Sequence, residues 1–195
     1  MDKPSNNNYP VNNLIMNRWS PRAFSNQLVE KEKIFSILEA ARWAPSAFNE
    51  QPWRFIVGQN GDEAYNKIFG SLVEWNQQWA KSVPVLILNI AKKTFTHNGT
   101  QNVTFKYDLG QAVGQMILEV VNQGLVSHQM TGFDPDKAAA ALNVPDDFQV
   151  VSVTAIGYQG EMENLPEQFA KIEVNKRERK DLDTIAFKDK FGVSL

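Results

Sequence analysis

The stretch from Val83 to Ala91 is apolar almost without interruption, broken only at Asn89. A strand with one wet face alternates polar and apolar side chains, so an unbroken run predicts a strand covered on both faces. It is far shorter than the roughly 18 residues that would span a bilayer. The chain therefore has to supply cover for two sides of a sheet.

Candidate cover lies on both sides of that run. Between Leu28 and Trp43 the apolar residues Ile34, Ile37, Leu38 and Ala41 recur at helical spacing, with Ser25 or Asn26 as a possible cap and Pro45 just past the end. Trp53 to Val57 reads as a short strand closed by Gly58, and a second helix is expected from about Asp62 to Lys81, burying Ile68, Leu72, Trp75 and Trp79. Residues 92–105 are polar and unpatterned, a surface loop of a length that is often functional. Asp108 to Gln123 is the best helix in the chain, with Leu109, Ala112, Val113, Met116 and Val120 on one face and Gly124 at the left-handed C-cap. A short apolar piece, Leu125 to Met130, precedes Asp134-Pro135, an N-cap with proline at the first helical position; that helix ends near Leu142. Val150 to Ile156 is a further strand, ended by Gly157. Helices and strands intermix, which predicts an α+β fold around a small sheet.

Within 195 residues, 43% hydrophobic and 22% charged, one sizeable core is affordable and no linker divides the chain. The expected organisation is one domain over 1–195, with a loose arm at 1–10 and a tail at 166–195. The tail carries Phe169, Ile172, Ile185, Phe187 and Phe191 with no partner inside itself, so it must bury them elsewhere, a second subunit included. A net charge of −2 argues against nucleic acid. The N-terminus lacks the apolar stretch of a secretory signal, so a cytoplasmic location is expected, with no membrane contact.

Absences narrow the chemistry. Without cysteine there is no disulfide, thiolate metal site or cysteine nucleophile. His97 and His128 stand apart with no ligand-spaced companions, so no metal site is expected and each histidine reads as surface or packing. Neither G-x-G-x-x-G after a strand nor a phosphate loop G-x-x-x-x-G-K-S/T is present. An enzyme with no cysteine and only two isolated histidines is expected to borrow its reactivity from a cofactor.

Two stretches stand out. Arg18-Trp19-Ser20-Pro21-Arg22 offers two guanidiniums and a hydroxyl to an oxyanion, although paired arginines on a solvated turn are commonplace. Arg177 and Arg179 form a second basic pair inside a charge run. Trp43 to Phe55 packs prolines, small residues, amides and aromatics between a helix and a strand. Amides on a rigid turn can bond the edge of a heterocycle; a well-capped loop would look the same.

Together these pieces resemble the flavin-dependent nitroreductase family. Arg18 to Phe24 is similar to its R-x-S-x-R/K-x-F motif, and Ala44-Pro45-Ser46-Ala47-Phe48-Asn49-Glu50-Gln51-Pro52-Trp53 to its A-P-S-x-x-N-x-Q-P-W signature. Asp108 to Ala112, Gly124-Leu125, Met130 to Asp134, Val144-Pro145, Ala155 to Tyr158 and Arg177-x-Arg179 follow in order, so the likeness covers about residues 14 to 192. It implies an intertwined homodimer with a central, mostly antiparallel sheet flanked by helices, FMN at the interface, and the tail wrapped on the partner. By motif position Arg18, Arg177 and Arg179 would meet the FMN phosphate, with Trp19 beside them where many relatives carry a polar or basic residue. Ser20 and Arg22 would approach the pyrimidine side of the ring. Pro45, Ser46, Ala47 and Asn49 would come from the other subunit. Met130, Thr131 and Gly132 would present backbone to flavin N5, and Asn76 would reach the O2 edge. The implied activity is hydride transfer from NADH or NADPH through FMN to a nitroaromatic, quinone or other conjugated acceptor. Flavin-consuming or dehalogenating chemistry on the same fold, or a non-catalytic flavin-binding or cofactor-free dimer, are the alternatives.

Overall fold

In the computed structural model, which describes residue 3 and residues 7–195, the apolar run forms the central strand. The elements in chain order are α1 (Asn13–Asn17), α2 (Lys31–Arg42), β1 (Trp53–Gln59), α3 (Glu63–Ser71), α4 (Glu74–Ala80), β2 (Val85–Lys92), α5 (Phe105–Asn122), β3 (Val126–Met130), α6 (Pro135–Ala141), β4 (Phe148–Gly157) and α7 (Glu167–Glu173). The four strands form one antiparallel sheet in the order β1-β2-β4-β3. Residues 1, 2 and 4–6 of the expected arm lie outside the described residues.

β2 is buried from Val85 to Ala91. Leu86, Leu88 and Ile90 face a layer containing Tyr65 and Ile68 of α3, Trp79 of α4, Ala138 of α6 and Phe169 of α7. Val85, Ile87 and Ala91 face Ile34, Ile37 and Ala41 of α2 together with Leu109, Ala112, Met116 and Val120 of α5. The lack of alternation in sequence thus follows from helices on both sides. Gly124, at φ +73°, ends α5 as expected, and the Asp134 side chain caps α6 by accepting from the N–H groups of Asp136 and Lys137. Among the described residues no helix is long and apolar enough to cross a membrane, and no cluster of three or more His, Asp or Glu could hold a metal ion.

Several expectations need correction. The helix expected over Asp62 to Lys81 is two helices. Leu72 and Val73 are extended, because the Val73 N–H donates to Gly132 O (3.1 Å) and Leu72 bridges to Phe133. Trp75 is consequently 48% exposed, its ring lying 4.6 Å from that of Phe169. Ser25 and Asn26 do not cap α2, which starts behind an uncapped Glu30. Residues 23–25 are drawn into extended pairing with the end of β4 instead, Ser25 N–H donating to Tyr158 O (3.0 Å).

β1 does not close at Gly58 but runs through it; a Cβ there would lie 2.5 Å from the Tyr65 backbone, so the glycine admits α3 rather than ending the strand. The 92–105 segment folds back on itself through a Thr94–Gln101 bridge. In the tail, Phe169 needs no second subunit, since it is fully buried in its own chain's core; Ile185 and Phe191 remain exposed.

Candidate cofactor site

The Arg18–Ala23 segment leaves α1 in an extended path and is gripped by three side chains distant in sequence. Arg177 donates through one terminal nitrogen to Lys3 O (2.9 Å) and Met16 O, and through the other to Arg18 O (3.0 Å). His128 Nδ1 lies 2.9 Å from Pro21 O, and because a carbonyl can only accept, that nitrogen carries the proton. Glu173 Oε1 accepts from the N–H groups of Arg22 (2.8 Å) and Ala23 (3.1 Å). Arg18 in turn donates to Ser20 Oγ at 3.2 Å.

These bonds bring the two ends of the chain around one cleft of about 270 Å³, lined by Lys3, Arg18, Trp19, Ser20, Arg22, Glu173, Arg177 and Arg179 among others. Burial, then the charges of Arg177 and Arg179, pull Arg18 below the usual arginine range; burial and Arg179 do the same to Arg177. Cations crowded in this way gain when an anion arrives. Arg22 Nε is buried without a hydrogen-bond partner, an unsatisfied donor beside the cluster. The donor set therefore fits a phosphate, which arginine binds bidentately. Lys3 Nζ sits 4.5 Å from the centre of the Trp19 ring, so Trp19 serves here as a platform for a cation. His128 is pushed down to about 4, first by burial and then by the charges of Arg22 and Arg18; its ring lies 4.7 Å from that of Trp79.

Two further groups of expected site residues form separate patches. After β3, Gly132 O accepts from Asn76 Nδ2 (2.9 Å) as well as from Val73 N–H, and a Cβ at Gly132 would come 2.7 Å from Asn76 Nδ2. Thr131 is exposed beside them, while Met130 is in the core. Before β1, the Pro45–Asn49 turn is tied within itself, Ser46 Oγ accepting from Gln51 N–H (3.0 Å), and to α5, Asp108 Oδ2 accepting from Ala47 N–H (3.3 Å). Phe48, Asn49 and Gln51 all have φ above +50°, a conformation that costs non-glycine residues energy. Phe48 projects 86% exposed, edge-on to Phe95, and Glu50 Oε1 accepts from the Thr96 N–H and hydroxyl (2.9 and 2.5 Å).

β1 and β3 are the opposite edges of the sheet, three strand spacings or roughly 14 Å apart. One chain thus presents the 45–49 turn and the 130–132 segment at different edges. Sequence reasoning missed Glu173 altogether, and it took His128 as packing without locating its bond to Pro21. Neither carries a motif, and a buried carboxylate in a charged tail has no one-dimensional signature.

Residues 15–158 match the model of the nitroreductase family. This chain belongs to that family. The matched stretch stops short of the tail that carries Glu173, Arg177 and Arg179. A crystal structure described as an oxidoreductase containing FMN is 36% identical, with a TM-score of 0.91 over 97% of this chain and 96% of that one. A 15.4 kDa protein of Mycolicibacterium smegmatis is 33% identical across 73% of this chain and 99% of its own length. The NADH dehydrogenase of Thermus thermophilus is 26% identical across 75% of this chain and 85% of its own. The nitroreductase-family fold agrees with the α+β architecture and its antiparallel sheet.

Proposed function

We propose that this chain is an FMN-dependent oxidoreductase that takes hydride from NADH or NADPH and reduces a nitroaromatic, quinone or other conjugated acceptor, acting as a homodimer with FMN at the interface. The observation that carries the reading is the meeting of Arg18 with Arg177 and Arg179, from opposite ends of the chain, at one cleft beside the unpartnered Arg22 Nε. FMN, when bound, supplies a carrier that takes up hydride and hands electrons to the acceptor.

The protein's part is to bind and to bias. Arg18 and Arg179 face the phosphate, with Arg177 holding the Arg18 carbonyl from behind. Ser20 and Arg22 lie toward the pyrimidine side, where a guanidinium stabilises negative charge on the reduced ring and raises its potential. The Gly132 main chain, braced by Asn76, faces the ring; an amide NH₂ has two donors, so Asn76 keeps one for the ring edge. At about 270 Å³ the cleft is small for a whole cofactor, and the 45–49 turn lies at the far edge of its own sheet. A second copy supplying Pro45, Ser46, Ala47 and Asn49 answers both facts, and gives exposed Ile185 and Phe191 of the tail a place to be buried.

The test is spectroscopic. Purified protein given FMN is expected to retain flavin absorbance, lose it under anaerobic NADPH or NADH, and recover it on adding a nitroarene or quinone. Protein that stays colourless overturns the FMN assignment, and flavin bleached by neither nicotinamide overturns the reductase. Halide release from a halogenated phenol without nitroarene turnover would replace reduction by dehalogenation.

A further inference from the structure

One carboxylate near the arginine cleft is not called for by the proposed chemistry. Glu173, the last residue of α7, is 2% exposed. Burying a carboxylate is costly unless charges or donors hold it. Among the described residues no cation lies within ion-pair distance of it, although it shares the cleft with four arginines. Its Oε1 is spent on the main chain, on the N–H groups of Arg22 and Ala23.

The geometry of those two bonds is specific. The peptide unit entering Arg22 consists of the Pro21 carbonyl and the Arg22 N–H. His128 holds the first at 2.9 Å and Glu173 the second at 2.8 Å, so that plane is gripped at both ends. The next peptide unit is gripped at its N–H by the same Glu173 oxygen, at 3.1 Å. With the planes on both sides of its Cα held, the direction of the Arg22 side chain is set through the backbone. Among the described residues no hydrogen bond is seen to the guanidinium itself, whose Nε keeps its donor unspent.

We infer that Glu173 is a positioning residue for the cofactor cleft, aiming Arg22 through the main chain while leaving its charge free for the flavin. This rests on the reading that the cleft takes FMN. Reach rather than charge is what the role requires. Glutamine keeps the length and an accepting oxygen but loses the charge; aspartate keeps the charge but is one methylene too short to reach both N–H groups.

The experiment compares Glu173→Gln and Glu173→Asp with the unmodified protein, reading the FMN dissociation constant by fluorescence quenching and the midpoint potential of the bound flavin. Glu173→Asp is expected to raise the dissociation constant about tenfold, the loss of one hydrogen bond that holds the Arg22 main chain, and to shift the potential negative. Glu173→Gln is expected to bind like the unmodified protein or more tightly, with a potential at or above its value. A destabilising change elsewhere in the fold would not move the potential of the flavin that remains bound. Equal binding and potential for Glu173→Asp and the unmodified protein, or weaker binding by Glu173→Gln than by Glu173→Asp, overturns the inference. Unmodified protein that takes up no FMN overturns the flavin reading, and this one with it; the two failures are told apart because only in the first does a flavin complex exist.

Discussion

The Arg18–Ala23 segment and the Pro45–Gln51 turn are both irregular stretches leading toward the proposed cofactor, yet they present different things to it. The first takes its support from His128, Glu173 and Arg177, each more than a hundred residues away, and every one of those bonds goes to its backbone. The second closes on its own Ser46 and is tied to Asp108 and Thr96 farther along the chain, and it keeps three non-glycine residues at positive φ. Clamping the main chain leaves arginine side chains free to meet an anion. A strained local turn presents shape instead: a rigid edge with an aromatic ring, Phe48, standing clear of it. Charge is presented by clamps on the main chain, and shape by a turn held in a strained conformation.

The largest effect that would sharpen this contrast concerns His128. Its proton affinity is depressed to about 4 by burial and by Arg22 and Arg18, whereas an unfolded histidine titrates near 6.5. Between those values the unfolded state binds the extra proton, so stability is complete above about pH 6.5 and is lost as pH falls toward 4, by up to about 3 kcal/mol. Urea titrations at pH 7.5 and 4.5 are expected to show that loss, and His128→Gln, which does not titrate, to lack this part of it. Parallel curves for the two proteins would break the long-range half of the comparison.

Next in size is Arg18→Ala, which removes the proposed phosphate contact, valued as a charge-assisted bond at about 2 kcal/mol, or roughly thirtyfold in FMN affinity. Unchanged affinity in a fluorescence titration would remove Arg18 from the phosphate end. Glu50→Ala cuts the tie to Thr96 and is expected to cost about 1 kcal/mol in chemical denaturation, the cost of an exposed hydrogen-bond pair. A loss of FMN affinity as large as that of Arg18→Ala would mean the turn, too, acts through charge. The smallest effect belongs to Phe48→Gly. Relief of the positive φ and the added freedom of the unfolded chain nearly offset, leaving a stability change under about 0.5 kcal/mol. A loss several times larger would show the Phe48–Phe95 contact to be structural.

Much of the fold was legible in one dimension. The run around β2 required cover on both faces, and α2 and α5 supply one side of it with the residues their periodicity picks out. Gly124 and Asp134-Pro135 terminate and start helices where their backbone preferences say they should. The arginines at 18 and 22 were visible as an oxyanion candidate, whereas Arg177 and Arg179 read as a solvated charge run and joined them only through the family resemblance. The break at Leu72-Val73 was not visible, although Gly70-Ser71 just before it weakens helix, because the apolar periodicity through Ile68, Leu72, Trp75 and Trp79 runs on across it. The bond from Val73 to Gly132, donated across 59 positions, outweighs the helical preference. The failed cap at Ser25 has the same origin, since pairing with β4 claims that backbone first.

What the amino-acid order determined by itself is therefore whatever depends on neighbours within a few turns: periodic faces, the caps at Gly124 and Asp134, and which side chains carry charge. The tertiary structure alone decided which peptide planes those charges hang from. Glu173 and Phe169 sit four positions apart on one short helix, yet one grips the arginine segment and the other fills the core. Helical spacing places them on one side of α7, but what each meets is set by long-range packing, and no local preference encodes a partner some 150 residues away.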